Sequence, residues 1–311
     1  MSKKLIGKYV ILTGLLLYTY IPITAHIESA PIETESNKYV IGSRPYGMFS
    51  IFLQAVNHIE WCIRNNKTPV IHWKKDCLYY TGKMYNNGSD GWTYYFQPVS
   101  DLTYEDHDQI HCNYESPDGS YVVYFFDEKT QPSREYRRDI YERVIKPFIK
   151  LNPIVQHKVD SFWEQNMQGK NTIGIHLRGT DKYLESMQIS REDLLHEAQK
   201  HAGPDTQFLV ATDEERLLEL AKRILKGTII YYDSHRSHNN NPIHHNGPFP
   251  MELAGEEVVI ETMLLARCDK MVHSCSNVST AVLLLNPDLD NILLHKLSNP
   301  SHAEHAITHK A

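Results

Sequence analysis

The sequence predicts an α/β protein built on parallel sheets, and three observations carry that prediction. Short β-branched and aromatic runs recur along the chain, among them TPVIHW (68–73), TIGIHL (172–177) and QFLVA (207–211). Helical stretches of about 10–14 residues separate them, which is too long for hairpins and right for the crossovers that parallel strands require. Hydrophobic residues make up 41% and charged residues 23% of the 311, the composition of a chain that buries a core without disulfide staples. The length favours two domains of about 120–170 residues each.

The elements follow in order. Tyr39 to Gly42 reads as a strand ending on glycine, and Gly47 to Arg64 has helical spacing of Phe49, Phe52, Leu53, Val56, Ile59 and Ile63. Thr68 to Trp73 is a strand. Residues 77–118 are aromatic, rich in Gly and Asn, and irregular, and Tyr121 to Phe126 is a further strand. Ser133 is the predicted N-cap of a charged helix to Ile149, and Pro153 opens another to about Met167. Thr172 to Leu177 is a strand, and Ser190 caps a helix to about His201. Gln207–Ala211 is a strand, Glu214–Leu225 a helix and Thr228–Tyr232 a strand. A polar loop is predicted over 233–255, then a helix from Glu256 to Arg267. Lys270–His273, Val278–Leu285 and Asn291–Leu294 complete the alternation as strand, helix and strand.

The first residues bear on compartment. Lys3, Lys4 and Lys8 precede the apolar run VILTGLLLYTYIPI, whose length suits a signal-peptide core and is short of the roughly 20 residues of a bilayer span. A signal peptide or short anchor with its spacer is therefore expected over 1–37. The protein is expected to be exported or anchored, with membrane association through this segment, and a cytoplasmic location stays open. Three N-glycosylation patterns, at Asn66, Asn87 and Asn277, do not decide the matter.

A net charge of −6 excludes a global basic field, so no nucleic-acid partner is expected. Five cysteines without a C-x-x-C pair give no structural zinc knuckle. Asp106-His-Asp108 and Asp288-Leu-Asp290 match D-x-D, but neither follows a clear apolar strand, and they read as solvated loops. His235, His238, His244 and His245 lack the spacing that would fix a metal site. No metal is expected. The tyrosines and tryptophan at 79, 80, 92, 94 and 95 read either as core packing or as a surface that stacks on acceptor sugars.

The strongest chemical signal is His176-Leu-Arg178-Gly-Thr-Asp181-Lys182, directly after the strand TIGIHL. The two-residue period of a strand puts His176 and Arg178 on one face. An arginine fixed at a strand end suits a phosphate, because its planar fork binds two oxygens at once. Arg178 and Lys182 together suit a diphosphate, with Asp181 placed to orient Arg178. In parallel sheets ligands bind at the carboxyl ends of the strands.

This His-x-Arg-x-x-Asp-Lys motif resembles the first motif of the GDP-fucose-dependent fucosyltransferases. The resemblance continues through Phe208-Leu-Val-Ala-Thr-Asp213, Tyr231-Tyr-Asp233, Val258-Val-Ile-Glu261, Ala266-Arg-Cys-Asp269 and His273-Ser-Cys-Ser-Asn277, and spans roughly 170–297. It implies a GT-B architecture of two Rossmann-like domains facing a cleft. The domains would be an acceptor-side domain over 38–150 and a GDP-sugar-binding domain over 151–311. It implies that Arg178 binds the diphosphate, that His176 lies near the nucleotide and that Asp213 sits by the sugar nucleotide. Glu261 matches the acidic residue that recognises the guanine edge. Ser274 and Ser276 fall near a phosphate-binding turn, and Asp233 tips the strand before it. Arg44, in the loop Gly42-Ser-Arg-Pro-Tyr-Gly-Met, resembles the family's first loop more weakly.

The implied activity is inverting, metal-independent transfer of fucose from GDP-fucose to a glycan or glycoconjugate hydroxyl. Glu185, or less readily Asp213, would act as general base. There are departures. The second arginine of the α1,6 group is Gly179 here, Glu185 is one residue out of step, and Val278 replaces a glutamine. The linkage stays open, and so does a catalytically silent glycan- or nucleotide-binding protein on the same fold.

Overall fold

A computed structural model describes residues 37–120, 132–179, 189–238 and 249–294. The predicted strand at 121–126 and the N-terminal apolar run lie outside the described residues. Among the described residues no helix is long and apolar enough to cross a membrane.

Two parallel sheets organise the chain. The first contains β1 (Lys38–Ile41), β2 (Thr68–Ile71) and β3 (Ile110–His111), in the order β2-β1-β3. β3 is two residues long, too short to carry a readable alternation, and it lies within the stretch 77–118 whose sequence predicts irregular chain. The second contains β4 (Asn171–Leu177), β5 (Thr206–Thr212), β6 (Thr228–Ile230), β7 (Lys270–His273) and β8 (Asp290–Leu293), in the order β6-β5-β4-β7-β8. Every paired strand in both sheets runs parallel.

The helices are α1 (Met48–Arg64), α2 (Arg134–Ile140), α3 (Lys146–Phe148), α4 (Pro153–Asn166), α5 (Arg191–Lys200), α6 (Glu215–Ile224), α7 (Met251–Leu265) and α8 (Asn277–Leu285). A π-helical turn, Tyr141–Ile145, joins α2 to α3. The predicted continuous helix from Ser133 to Ile149 is thus widened, and Pro147 accounts for it. Its ring meets the carbonyl four residues back and its nitrogen has no proton to donate. Ser133 and Ser190 cap α2 and α5 through their side chains, as their sequence positions predict.

The second sheet is covered on both faces, and the strand period assigns each face. Ile173, Ile175, Leu177, Phe208 and Val210 enter a core with α5 and α6, whereas Leu209, Ala211 and Met271 enter a core with α7 and α8. That second core continues into α1 and the aromatic segment, where Trp73, Trp92, Tyr94 and Tyr95 are fully buried. Trp73 and Trp92 meet edge to face, and Trp92 stacks on Phe96 with centroids 4.4 Å apart. Tyr79 is also buried. These rings are core. The alternative, that they present a surface for acceptor sugars, is overturned for Tyr79, Trp92, Tyr94 and Tyr95, because all four side chains are buried.

α7 begins at Met251, five residues before its predicted start. Gly255 hid this first turn, since glycine disfavours a helix interior. A side chain there would run into the Tyr95 ring, 2.7 Å from Cζ, and the Tyr95 hydroxyl donates to the Glu252 carbonyl at 2.8 Å. The glycine is the space that Tyr95 occupies.

Candidate functional site

From β4 the chain steps outward to β5 and β6, returns through α7, and steps outward again from β7 to β8. The direction of winding therefore reverses between β4 and β7. At such a point the loops leave the sheet edge on diverging paths and open a crevice at the carboxyl ends. His176 and Arg178 stand at the end of β4, and His273-Ser274-Cys275-Ser276 at the end of β7.

The carboxyl edge is laced from side to side. Just past β4 the Gly179 amide donates to Asp213 Oδ1 at 2.8 Å, just past β5. The Asp213 carbonyl accepts from the Ser237 amide at 2.8 Å, beyond β6. On the other side of β4, Ser276 Oγ lies 3.3 Å from His176 Nδ1, and both residues are buried. Ser276 also caps α8. Its Oγ accepts from the Ser279 amide at 3.0 Å, and Ser279 Oγ accepts from the Ser276 amide at 2.9 Å. This is a capping box with serine at both places. The positive end of α8 therefore starts at the crevice, where an anion is favoured. Ser274 holds the same turn through its carbonyl, which accepts from Ser279 Oγ at 2.9 Å.

Arg178 is partly buried, and its carbonyl accepts from Arg191 Nη2 at 2.9 Å. Its charge reaches Tyr79, whose hydroxyl burial pushes up to about 12 and Arg178 draws back down. That hydroxyl accepts from the Met48 amide at 2.8 Å, so the start of α1 lies within electrostatic range of Arg178. Arg44 is committed within its own half. Nε donates to Gln54 Oε1 at 2.7 Å, and the guanidinium lies 4.6 Å from the centre of the Tyr46 ring and 5.1 Å from that of Tyr114.

Glu261 projects from α7 toward the loop after β6. Ser234 Oγ donates to Glu261 Oε1 at 2.6 Å, and Arg236 Nη2 is 3.7 Å from the same oxygen. Burial pushes the carboxyl up to about 7; Ser234 and then Arg236 pull it down, and the charges of Glu257 and Asp213 add to the rise. Asp233 is exposed. Asp181, Lys182 and Glu185 lie outside the described residues, as do His244 and His245.

The structure thus brings His176, Arg178, Asp213, Ser274 and Ser276 to one sheet edge, with Glu261 behind the adjacent loop. It also explains Gly179, where the resembling α1,6 motif has a second arginine. A side chain there would start within the Glu214 carboxylate, 2.6 Å from Oε1, and Glu214 is fully buried. Sequence reasoning missed Arg236, because the loop around it has no periodicity. Its one signal was an arginine three residues past Asp233.

Each D-x-D pattern contributes an aspartate to ion pairs. Asp108 meets Lys38 at 2.8 Å, and Asp288 meets Arg134 at 2.8 Å and Arg138 at 2.6 Å. His235 Nδ1 lies 2.6 Å from Glu257 Oε1. No disulfide joins any of the five cysteines, all of which are among the described residues.

The chain is an α/β protein of GT-B-like, fucosyltransferase-like fold. It resembles NodZ alpha-1,6-fucosyltransferase soaked with GDP-fucose at a TM-score of 0.53 and 19% identity, over 85% of this chain and 97% of that one. It resembles the selenomethionine fucosyltransferase NodZ from Bradyrhizobium at a TM-score of 0.52 and 18% identity, over 85% of this chain and 96% of that one. No protein-family model and no curated protein matches the sequence.

Proposed function

We propose that the protein is an inverting glycosyltransferase that moves fucose from GDP-fucose to a glycan or glycoconjugate hydroxyl. The observation that supports this most is the reversal between β4 and β7, where an arginine, a histidine and a helix N-terminus meet. That combination suits a diphosphate. The nucleotide is assigned to 151–311 and the acceptor to 38–150. Glu261 would take the guanine edge, and Asp213 would stand by the sugar. Arg178, with Lys182, carries the charge that develops on departing GDP, and Asp181 orients Arg178. Glu185 removes the proton from the attacking hydroxyl. In this scheme the leaving-group charge is met by side chains and no metal is required. An exported or anchored protein, held through residues 1–37, fits a glycan acceptor.

A thermal-shift panel of nucleotide sugars, followed by GDP release with and without EDTA, tests the reading. Ligand at one hundred times its dissociation constant stabilises the native state by about 2.7 kcal/mol. Stabilisation by GDP and GDP-fucose with EDTA-resistant turnover is expected. Stabilisation without turnover leaves a silent binding protein, and stabilisation by UDP-sugars alone refutes the assignment. EDTA-sensitive turnover refutes the metal-free scheme.

A further inference from the structure

We infer that Arg236 is a positioning residue that holds Glu261 in its base-reading state, with one oxygen anchored and the other left for a purine base presenting two N–H donors. The inference rests on the reading of Glu261 as the base-recognising carboxylate and adds the device that makes it selective.

Arg236 is buried, with 7% of its surface exposed. Nη2 donates to the Tyr232 carbonyl at 2.7 Å and to Ser234 Oγ at 3.2 Å, and Nη1 donates to the Ser234 carbonyl at 3.1 Å. The guanidinium lies 5.1 Å from the centre of the Tyr231 ring. The arginine is thus the hub of the loop after β6. It binds the serine that binds Glu261, and it stands 3.7 Å from Glu261 Oε1 itself. Among the described residues Oε2 has no hydrogen-bond partner.

The surroundings make this hub necessary. Glu257, one turn back on α7, and Asp213, beyond β5, both oppose ionisation of Glu261. His235 answers Glu257 at 2.6 Å, Asp233 is exposed, and Tyr232 is a neutral neighbour. Arg236 is the cation that faces Glu261 among these groups. Guanine offers two adjacent N–H donors on its base-pairing edge. An ionised carboxylate accepts from both, whereas protonation turns one acceptor oxygen into a donor and leaves one N–H without a partner. Adenine has an acceptor at the middle position of that edge, so ionised Glu261 rejects it.

The test measures GDP and ADP affinity by calorimetry from pH 6 to pH 9 on the full chain and on Arg236→Met and Arg236→Lys. Wild-type affinity for GDP should fall as pH drops through about 7, where Glu261 takes up a proton. Removing a cation at this distance moves a carboxyl by about one unit or more. In Arg236→Met the fall should therefore begin at a pH about one unit higher, with GDP affinity about fivefold down at pH 7 and largely recovered at pH 9. The preference for GDP over ADP should shrink and recover in step. Arg236→Lys keeps the charge, so its profile should keep the wild-type midpoint. Loss that is equal at every pH in Arg236→Met, or a lysine midpoint displaced like that of methionine, overturns the inference while leaving GDP binding in place. Failure of the wild type to bind GDP overturns both.

Discussion

Ser276 Oγ lies 3.3 Å from His176 Nδ1 although the two residues are 100 positions apart. One ends β4 and the other caps α8 after β7, so this contact marks the point where the winding of the sheet reverses. Ser276→Ala removes both the cap and the contact. Loss of such a cap costs about 0.5–2 kcal/mol. The melting temperature should fall accordingly, and GDP affinity should fall with it. Unchanged GDP affinity would separate the cap from the site.

Arg178 is expected to act through its fork. Lysine keeps the charge and loses bidentate geometry. Arg178→Lys and Arg178→Ala should both lose about a hundred- to a thousandfold in turnover, with little change in melting temperature. Near wild-type turnover in the alanine variant, read by GDP release, would remove Arg178 from the mechanism.

Gly179 has no room for a side chain against buried Glu214. Gly179→Ala must displace either the β4 end or Glu214, and with it the hydrogen bond from Gly179 to Asp213. Overpacking of this kind costs about 1–3 kcal/mol. Gly179→Arg, the residue of the resembling α1,6 motif, should cost at least as much. A variant melting with the wild type would contradict the packing.

Glu261 gives a signed pH dependence in the ligand-free protein. Its carboxyl is raised from an ordinary 4.5 to about 7 by burial. The folded state therefore holds this proton more tightly than the unfolded chain. That stabilisation is full below about 4.5 and is lost as pH rises through about 7. Glu261→Gln cannot titrate. The stability of wild type relative to this variant should fall across that window by up to about 3 kcal/mol and then level off. Parallel denaturation curves at pH 5 and pH 8 would show that the carboxyl is not buried as described. GDP affinity should fall in the same variant.

Tyr79 tests the core assignment of the aromatic segment. Tyr79→Phe leaves the Met48 amide without its acceptor at the buried start of α1. An unsatisfied buried donor costs about 1–3 kcal/mol. Chemical denaturation should register that loss, and an unchanged midpoint would return Tyr79 to the surface.

The sequence by itself determined the alternation of strands and helices, the caps at Ser133 and Ser190, and the place of His176 and Arg178 at the end of one strand. These are local facts, since period, cap chemistry and turn residues act within a few positions. Tertiary structure alone decided the rest. Gly255 reads as a helix breaker until Tyr95, 160 positions away, fills its space. The aromatic run from 79 to 95 reads either as core or as a sugar-stacking surface until its rings pack among α1 and α7. The order β6-β5-β4-β7-β8 set which strand ends became neighbours, and so joined Gly179 to Asp213, Asp213 to Ser237 and His176 to Ser276. Arg236 carried no sequence signal beyond its place three residues past Asp233, because its partners are backbone carbonyls of its own loop and a carboxylate on a helix beyond it. Hydrogen bonds and burial between distant segments depend on where the chain returns, and a pattern along one segment does not encode that.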